Sequence, residues 1–217
     1  MIITLSGTKR SGKSTAAKIL TNNFNFTEIA LADPLRYICS KVFDIPVETF
    51  LSDELKEQSF EYPVTLNSDY LGHIEAIIEN EWQYNINEAA HIRFSQHEGQ
   101  TFANPRQILQ YVGTELIRGE INDNIFLELA NRRIENIEGN VVVSDVRFEL
   151  EQMWAKNKGA LMVLIKRPTL DLPKDTHVSE NQLNDETNFN TVIMNDEGLS
   201  RFRIELNSYF SYVLRSR

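Results

Sequence analysis

Residues 7–14 read Gly-Thr-Lys-Arg-Ser-Gly-Lys-Ser, the spacing G-x4-G-K-[ST] of a phosphate-binding loop. Ahead of it, Ile2, Ile3, Thr4 and Leu5 form an apolar, β-branched run that predicts a buried strand. Behind it, Thr15 to Leu20 predicts the start of a helix, with Ala16, Ala17, Ile19 and Leu20 turned inward. Strand, glycine loop and helix in that order are what anion recognition needs. The amides of the loop and of the helix N-terminus point at an anion, and the helix dipole favours negative charge there. Gly7, Lys9, Arg10, Ser11, Gly12, Lys13, Ser14 and Thr15 are therefore the candidate residues for binding a nucleoside triphosphate. Lys13 is expected to reach the β- and γ-phosphates, and the Ser14 hydroxyl to hold Mg2+.

The 217 residues are 41% apolar, enough for one sizeable core with an inserted subdomain. The net charge of −9 argues against stable nucleic-acid binding, which needs a basic stripe. Small phosphorylated ligands stay open, because a few clustered cations suffice for them. The single cysteine, Cys39, excludes an intramolecular disulfide, fits a reducing compartment and reads as a small buried hydrophobe. Met1 leads directly into the first strand, with no signal peptide visible. No apolar run approaches the roughly 20 residues of a membrane span. A soluble, cytoplasmic protein with no membrane partner is expected.

A second strand is predicted at Thr27 to Leu31, then a turn at Ala32-Asp33-Pro34 and a helix to about Phe43. Residues 44–104 are polar, acidic and mixed in signal, and read as an inserted, partly mobile subdomain. Within them Leu71, Ile74, Ile77, Ile78 and Trp82 recur at helical steps. Pro105 opens a helix whose Gly113 predicts a kink or a close approach. Another helix covers about Asn124 to Ile137. Val141 to Ser144 is apolar without alternation, as central parallel strands are. A helix over Glu149 to Lys158, strands at Ala160–Ile165 and Thr191–Met194, and a C-terminal helix from Leu199 complete the reading. The alternation predicts an α/β fold of three layers, with about five parallel strands covered on both faces.

Ligands of such sheets bind beyond the carboxyl ends of the strands. Those ends carry Lys9, Arg10 and Lys13, then Asp33 with Arg36, then Asp145 with Arg147, then Lys166 with Arg167. Any one of these alone reads as a solvated surface charge; their recurrence after successive strands does not. Asp145, after Val-Val-Val-Ser, occupies the Walker B position, where a carboxylate holds Mg2+ directly or through water. Its plainer reading is a cap for the next helix. Arg147 offers a planar fork for charge that spreads over transferring phosphate oxygens. There is no D-x-x-G after the third strand, no N-K-x-D near the later ones, no L-S-G-G-Q, and no second acid after Asp145. Ras-type, ABC-type and AAA-type readings fall away, leaving a P-loop kinase with a small acceptor.

The segments L-S-G-T-K-R-S-G-K-S, L-A-D-P-L-R, P-R-Q-I-L-Q-Y-V-G-T-E-L-I-R, S-D-V-R-F-x-x-E and T-H-V-S-E together resemble bacteriophage deoxynucleoside monophosphate kinases in order and spacing. The likeness runs from about Met1 to Asp196 and is weakest over 44–104. It implies a nucleoside-monophosphate-kinase fold, ATP- and Mg2+-dependent conversion of dNMP to dNDP, a phage role in DNA precursor supply, and a homodimer. By position it implies that Lys13 and Ser14 hold ATP and Mg2+. Arg36 and Arg106, with Asp33 and Arg147, then meet the acceptor phosphate and its surroundings, and Gln110 and Arg118 line the acceptor pocket. Thr176 to Glu180 belong to a lid of about 168–188, with Arg167, a further candidate for ATP binding, at its entrance. Relatives often carry G-K-D where this chain has G-K-S, so any acidic role at position 14 does not transfer. His177 reads as a lid residue rather than a general base. His73, His91 and His97 show no metal-ligand spacing. A dephospho-CoA or phosphomevalonate kinase, and a non-catalytic ATP-binding switch, are the alternatives.

Overall fold

The computed structural model describes residues 1–168 and 185–216. The chain divides into two compact units, Met1–Leu31 with Ala130–Arg217 and, between them in sequence, Ala32–Leu129.

The first unit is built on five parallel strands: β1 (Ile2–Ser6), β2 (Phe26–Ile29), β5 (Asn140–Val143), β6 (Leu161–Lys166) and β7 (Thr191–Met194). Their order is β2-β5-β1-β6-β7. The chain leaves β1 for the edge strand β2 on one side and reaches β6 and β7 on the other. The order therefore reverses at β1, which opens a crevice at its carboxyl end. Ile3 pairs with Val142 on one side and Leu161 on the other, so β1 is bonded along both edges and buried on both faces. This is why β1 and β5 read as continuous apolar runs.

One face carries α1 (Lys13–Phe24) and α9 (Leu199–Arg215). Ala16, Ala17 and Leu20 of α1, with Phe202, Leu206 and Phe210 of α9, close over Ile3, Leu5, Val163 and Ile165. The four-residue spacing in α9 puts its three apolar side chains on one stripe. The other face carries α8 (Glu149–Asn157), with Trp154 and Ala155 buried. The Trp154 indole donates to Asn131 Oδ1 at 3.0 Å, which satisfies the polar tip of a buried ring. This is a three-layer α/β architecture, a parallel sheet with helices on both faces.

The second unit has its own core. It comprises α2 (Asp33–Phe43), α3 (Val47–Leu51), the antiparallel pair β3 (Val64–Thr65) and β4 (Thr101–Phe102), α4 (Ser68–Asn80), α5 (Glu88–Ser95) and α6 (Pro105–Gln110). A π-helix over Tyr111–Arg118 continues α6, and α7 (Ile125–Glu135) returns the chain to the first unit. Ile38, Phe50, Ile74, Phe94, Phe102 and Leu116 are among its fully buried residues. Three helices begin on asparagine caps: Asn67, Asn87 and Asn104 accept from the amides of Tyr70, Ala90 and Gln107. Each such cap contributes about 1 kcal/mol.

The sequence reading of 44–104 contains only one helix. The structure adds α3, α5 and the β3–β4 pair there, and places the whole segment inside the wider unit Ala32–Leu129. The interruption expected at Gly113 is both a change of winding and a close approach, since a Cβ there would lie 2.6 Å from Leu35 Cδ2. Cys39 is buried, and burial pushes its thiol well above the ordinary range. Of the expected lid, Thr176 to Glu180 with His177 lie outside the described residues. Glu186–Asn188 form a 3-10 turn.

Candidate active site

The loop after β1 has φ values of 147° at Gly7, 61° at Arg10 and 120° at Gly12. The two glycines are also required by their neighbours. A Cβ on Gly7 would lie 2.4 Å from the Ile165 carbonyl of β6, and one on Gly12 would lie 2.7 Å from the Phe202 ring. The loop is thus pressed against β6 and α9, which leaves its backbone no room to relax. Ser11 N donates to Thr8 O, and the amides of Thr15 and Ala16 donate to Gly12 O to start α1. Among the described residues no side chain caps this N-terminus, so the positive end of the helix dipole is left to an anion. Lys13 Nζ donates to the carbonyls of Gly7 at 2.6 Å and Thr8 at 2.8 Å, which places the ammonium against the loop itself. Ser14, Thr8 and Arg10 are exposed; Lys9, Gly12, Lys13 and Thr15 are half-buried.

Asn195 has no counterpart in the sequence reading. It follows β7, is 8% exposed, donates its side-chain amide to Ser11 O at 2.8 Å and its backbone amide to Lys166 O at 2.7 Å. It thereby ties the loop to the end of β6. The only signal for it in the sequence is its position directly after a strand.

The second element of the site follows β5, the neighbour of β1. Ser144 N donates to Ile29 O, Leu31 N donates to Asp145 Oδ1 at 2.6 Å, and Val146 N donates to Leu5 O. The Asp145 loop is therefore bonded to the ends of β2 and β1 on either side. The capping reading of Asp145 does not hold. The cap position of α8 is Phe148, and Glu151 receives the amides there. Asp145 and Arg147 are half-buried at the carboxyl end of the sheet, as the P-loop is. Arg167, past β6, is exposed, and Lys166 forms an ion pair with Glu186.

The remaining predicted residues belong to the second unit. Arg36 donates to Asp33 Oδ1 at 2.9 Å, a pair one turn apart on α2. Arg106 donates to Glu57 Oε1 at 2.9 Å. The Arg118 guanidinium lies 5.2 Å from the centre of the Phe126 ring, within cation–π range. Arg106, Gln110 and Arg118 recur at four- and eight-residue steps along α6 and the π-helix. The looser winding from Tyr111 onward opposes the drift that such a row shows in a straight α-helix. His97 joins the two ends of the π-helix. One ring nitrogen meets the Tyr111 hydroxyl at 2.8 Å and the other meets the Glu120 carboxylate at 3.2 Å. Burial, with the carboxylates of Glu115 and Glu120, pushes the Tyr111 phenol up. His91 pairs with Glu75 at 2.8 Å. Among the described residues no group of three or more His, Cys, Asp or Glu side chains could hold a metal.

The family model for deoxynucleotide monophosphate kinases matches residues 1–97 and 54–205. A protein of Acanthamoeba polyphaga mimivirus, provisionally named a deoxynucleotide monophosphate kinase, is 29% identical over 96% of this chain and 95% of its own. Dephospho-CoA kinase from Campylobacter jejuni superposes with a TM-score of 0.46 at 14% identity, over 99% of this chain and 98% of that one. A Thermus thermophilus protein of known crystal structure gives 0.45 at 13% identity, over 100% and 97%. On the extent of the family match, the chain belongs to the deoxynucleotide monophosphate kinases, a family of phosphotransferases.

Proposed function

We propose that this kinase transfers the γ-phosphoryl group of ATP to the phosphate of a deoxynucleoside monophosphate, releasing ADP and a deoxynucleoside diphosphate. The observation that carries the proposal is the glycine cradle at the carboxyl end of the central strand, with uncapped amides and Lys13 at its edge. In this reading the loop amides and Lys13 take the β- and γ-phosphates, with Lys9 and Arg10 adding positive charge. Ser14 and Asp145 offer oxygen donors, the kind that Mg2+ accepts, and Mg2+ commonly takes few protein ligands beside phosphates. When bound, the ion supplies charge neutralisation to the phosphates.

Arg36, Arg106, Gln110 and Arg118 are the acceptor-binding set. Asp33 fixes the guanidinium of Arg36, and Glu57 holds that of Arg106. Arg147 steadies the charge that develops on the transferring oxygens, with Arg167 adding to it. No general base is required, because the acceptor phosphate is already anionic at neutral pH. Exclusion of water at the moment of transfer keeps ATP from being hydrolysed instead.

The test is ADP release measured with each dNMP, with dephospho-CoA, with phosphomevalonate and with no acceptor. Release stimulated by one or more dNMPs and by neither other acceptor is expected. Stimulation by dephospho-CoA or phosphomevalonate alone would replace the acceptor assignment. ATP binding with no acceptor-stimulated release would make the chain a switch.

A further inference from the structure

We infer that Glu151 is a positioning residue for phosphoryl transfer, acting through the backbone of Arg147. The inference rests on the role proposed above for Arg147 and extends it to a residue that does not meet either substrate. Glu151 sits in the first turn of α8 and is 3% exposed. One carboxylate oxygen, Oε2, accepts from the amide of Arg147 at 2.7 Å and from the amide of Phe148 at 3.1 Å.

A glutamate three residues into a helix ordinarily reaches back to the single amide of the cap residue while staying in water. Here two features differ. The carboxylate is withdrawn from solvent, which costs several kcal/mol unless hydrogen bonds offset it. It also reaches one residue beyond the cap, to Arg147 itself. Charge-assisted bonds to backbone amides are about twice as strong as neutral ones. The amide of Arg147 is thus fixed from the helix side. Val146 N bonded to Leu5 O, and Asp145 bonded to Leu31 N, fix the same loop from the sheet side. With three consecutive residues anchored, the Cα of Arg147 has little freedom, and its guanidinium is delivered from a set point. A misplacement of about 1 Å in such a group can cost on the order of 100-fold in rate.

The alternative is that Glu151 caps α8 and nothing more. A cap contributes to stability but not to the turnover of the folded enzyme, so the two roles separate in kinetics. Glu151→Gln keeps an acceptor oxygen at the same reach. Glu151→Asp keeps the charge but draws the oxygen back by one methylene. Glu151→Ala removes the acceptor. We expect Glu151→Ala to lower kcat with dNMP about 10- to 100-fold, with KM for ATP within about twofold of the parent. Glu151→Asp should fall between, and Glu151→Gln should stay close to the parent.

In an Arg147→Ala background, Glu151→Ala should lower kcat no further, because residues acting as one unit are not additive. Amide hydrogen exchange at Arg147 and Phe148 should accelerate in Glu151→Ala and not in Glu151→Gln. Should Glu151→Ala not fold, the Asp and Gln pair decides alone: equal kcat in both overturns the inference. So does parental kcat in Glu151→Ala, or a full further loss on top of Arg147→Ala. Absence of dNMP-stimulated ADP release in the parent protein would instead overturn the proposed acceptor. Parental kcat in Arg147→Ala would overturn its role and this inference together.

Discussion

Lys13 shows how a single side chain separates chemistry from folding. Its ammonium donates to the loop carbonyls of Gly7 and Thr8, and the side chain is half-buried. Losing a hydrogen bond made by a charged group costs about 1.5–3 kcal/mol of stability, whereas losing a phosphate-directed donor costs about 100- to 1,000-fold in turnover. Lys13→Ala is therefore expected to lower kcat by that range while its far-UV circular dichroism stays native. Near-parental activity would remove the P-loop from the proposed mechanism. At this scale the donor half of the site is legible in the sequence, since Gly7, Gly12, Lys13 and Ser14 are adjacent in the chain and obey a fixed spacing. Asn195 and Glu151 are not. Asn195 reaches Ser11 across 184 positions, and nothing local marks it. Glu151 stands within S-D-V-R-F-x-x-E, but only the observed reach past the cap to Arg147 reveals what its carboxylate does.

The π-helix Tyr111–Arg118 is flanked by polar contacts to His97, from Tyr111 at its start and from Glu120 two residues past its end. Arg93 donates to both the carboxylate and the backbone carbonyl of Glu120, and His97 bridges Glu120 to Tyr111. The hydrogen bond from Arg93, followed by that from His97, holds the Glu120 carboxyl below its ordinary 4.5. A carboxyl with a lowered folded-state pKa contributes stability that is full above the unfolded value and is lost as the pH falls through the folded one. Urea unfolding followed from about pH 6 to pH 3 should show a steeper loss below about 4.5 in the parent than in Glu120→Gln. Equal slopes would remove Glu120 from the acid response. The long elements of the first unit were legible because their apolar runs and helical periods are strong. The second unit was harder for physical reasons. Its strands β3 and β4 are two residues long, too short for alternation to show. Helix α5 did carry a signal, with Asn87 before Glu88 and Ala90 and Phe94 four residues apart. The π-helix coincides with a close approach of Gly113 to Leu35, of which the glycine alone gives only a hint.

At the scale of the whole molecule, the two buried clusters share no residue. One is drawn from Met1–Leu31 and Ala130–Arg217, the other from Ala32–Leu129. A protein with separate cores can be stabilised locally, because opening of one unit need not expose the other. The proposed assignment gives the donor residues Lys13 and Ser14 to the first unit and the acceptor residues Arg36, Arg106, Gln110 and Arg118 to the second. A ligand raises the free energy of whatever opening abolishes its site, by about 2.7 kcal/mol at 100 times Kd. Hydrogen exchange should therefore respond to the two substrates in different places. ADP alone is expected to slow exchange in the loop and first turn, residues 7–16, more than in 105–118. A dNMP alone is expected to slow exchange in 105–118. If a dNMP that supports turnover protects no amide within Ala32–Leu129, the acceptor residues have been placed in the wrong unit. If ADP protects 105–118 and leaves 7–16 unchanged, the donor residues have been.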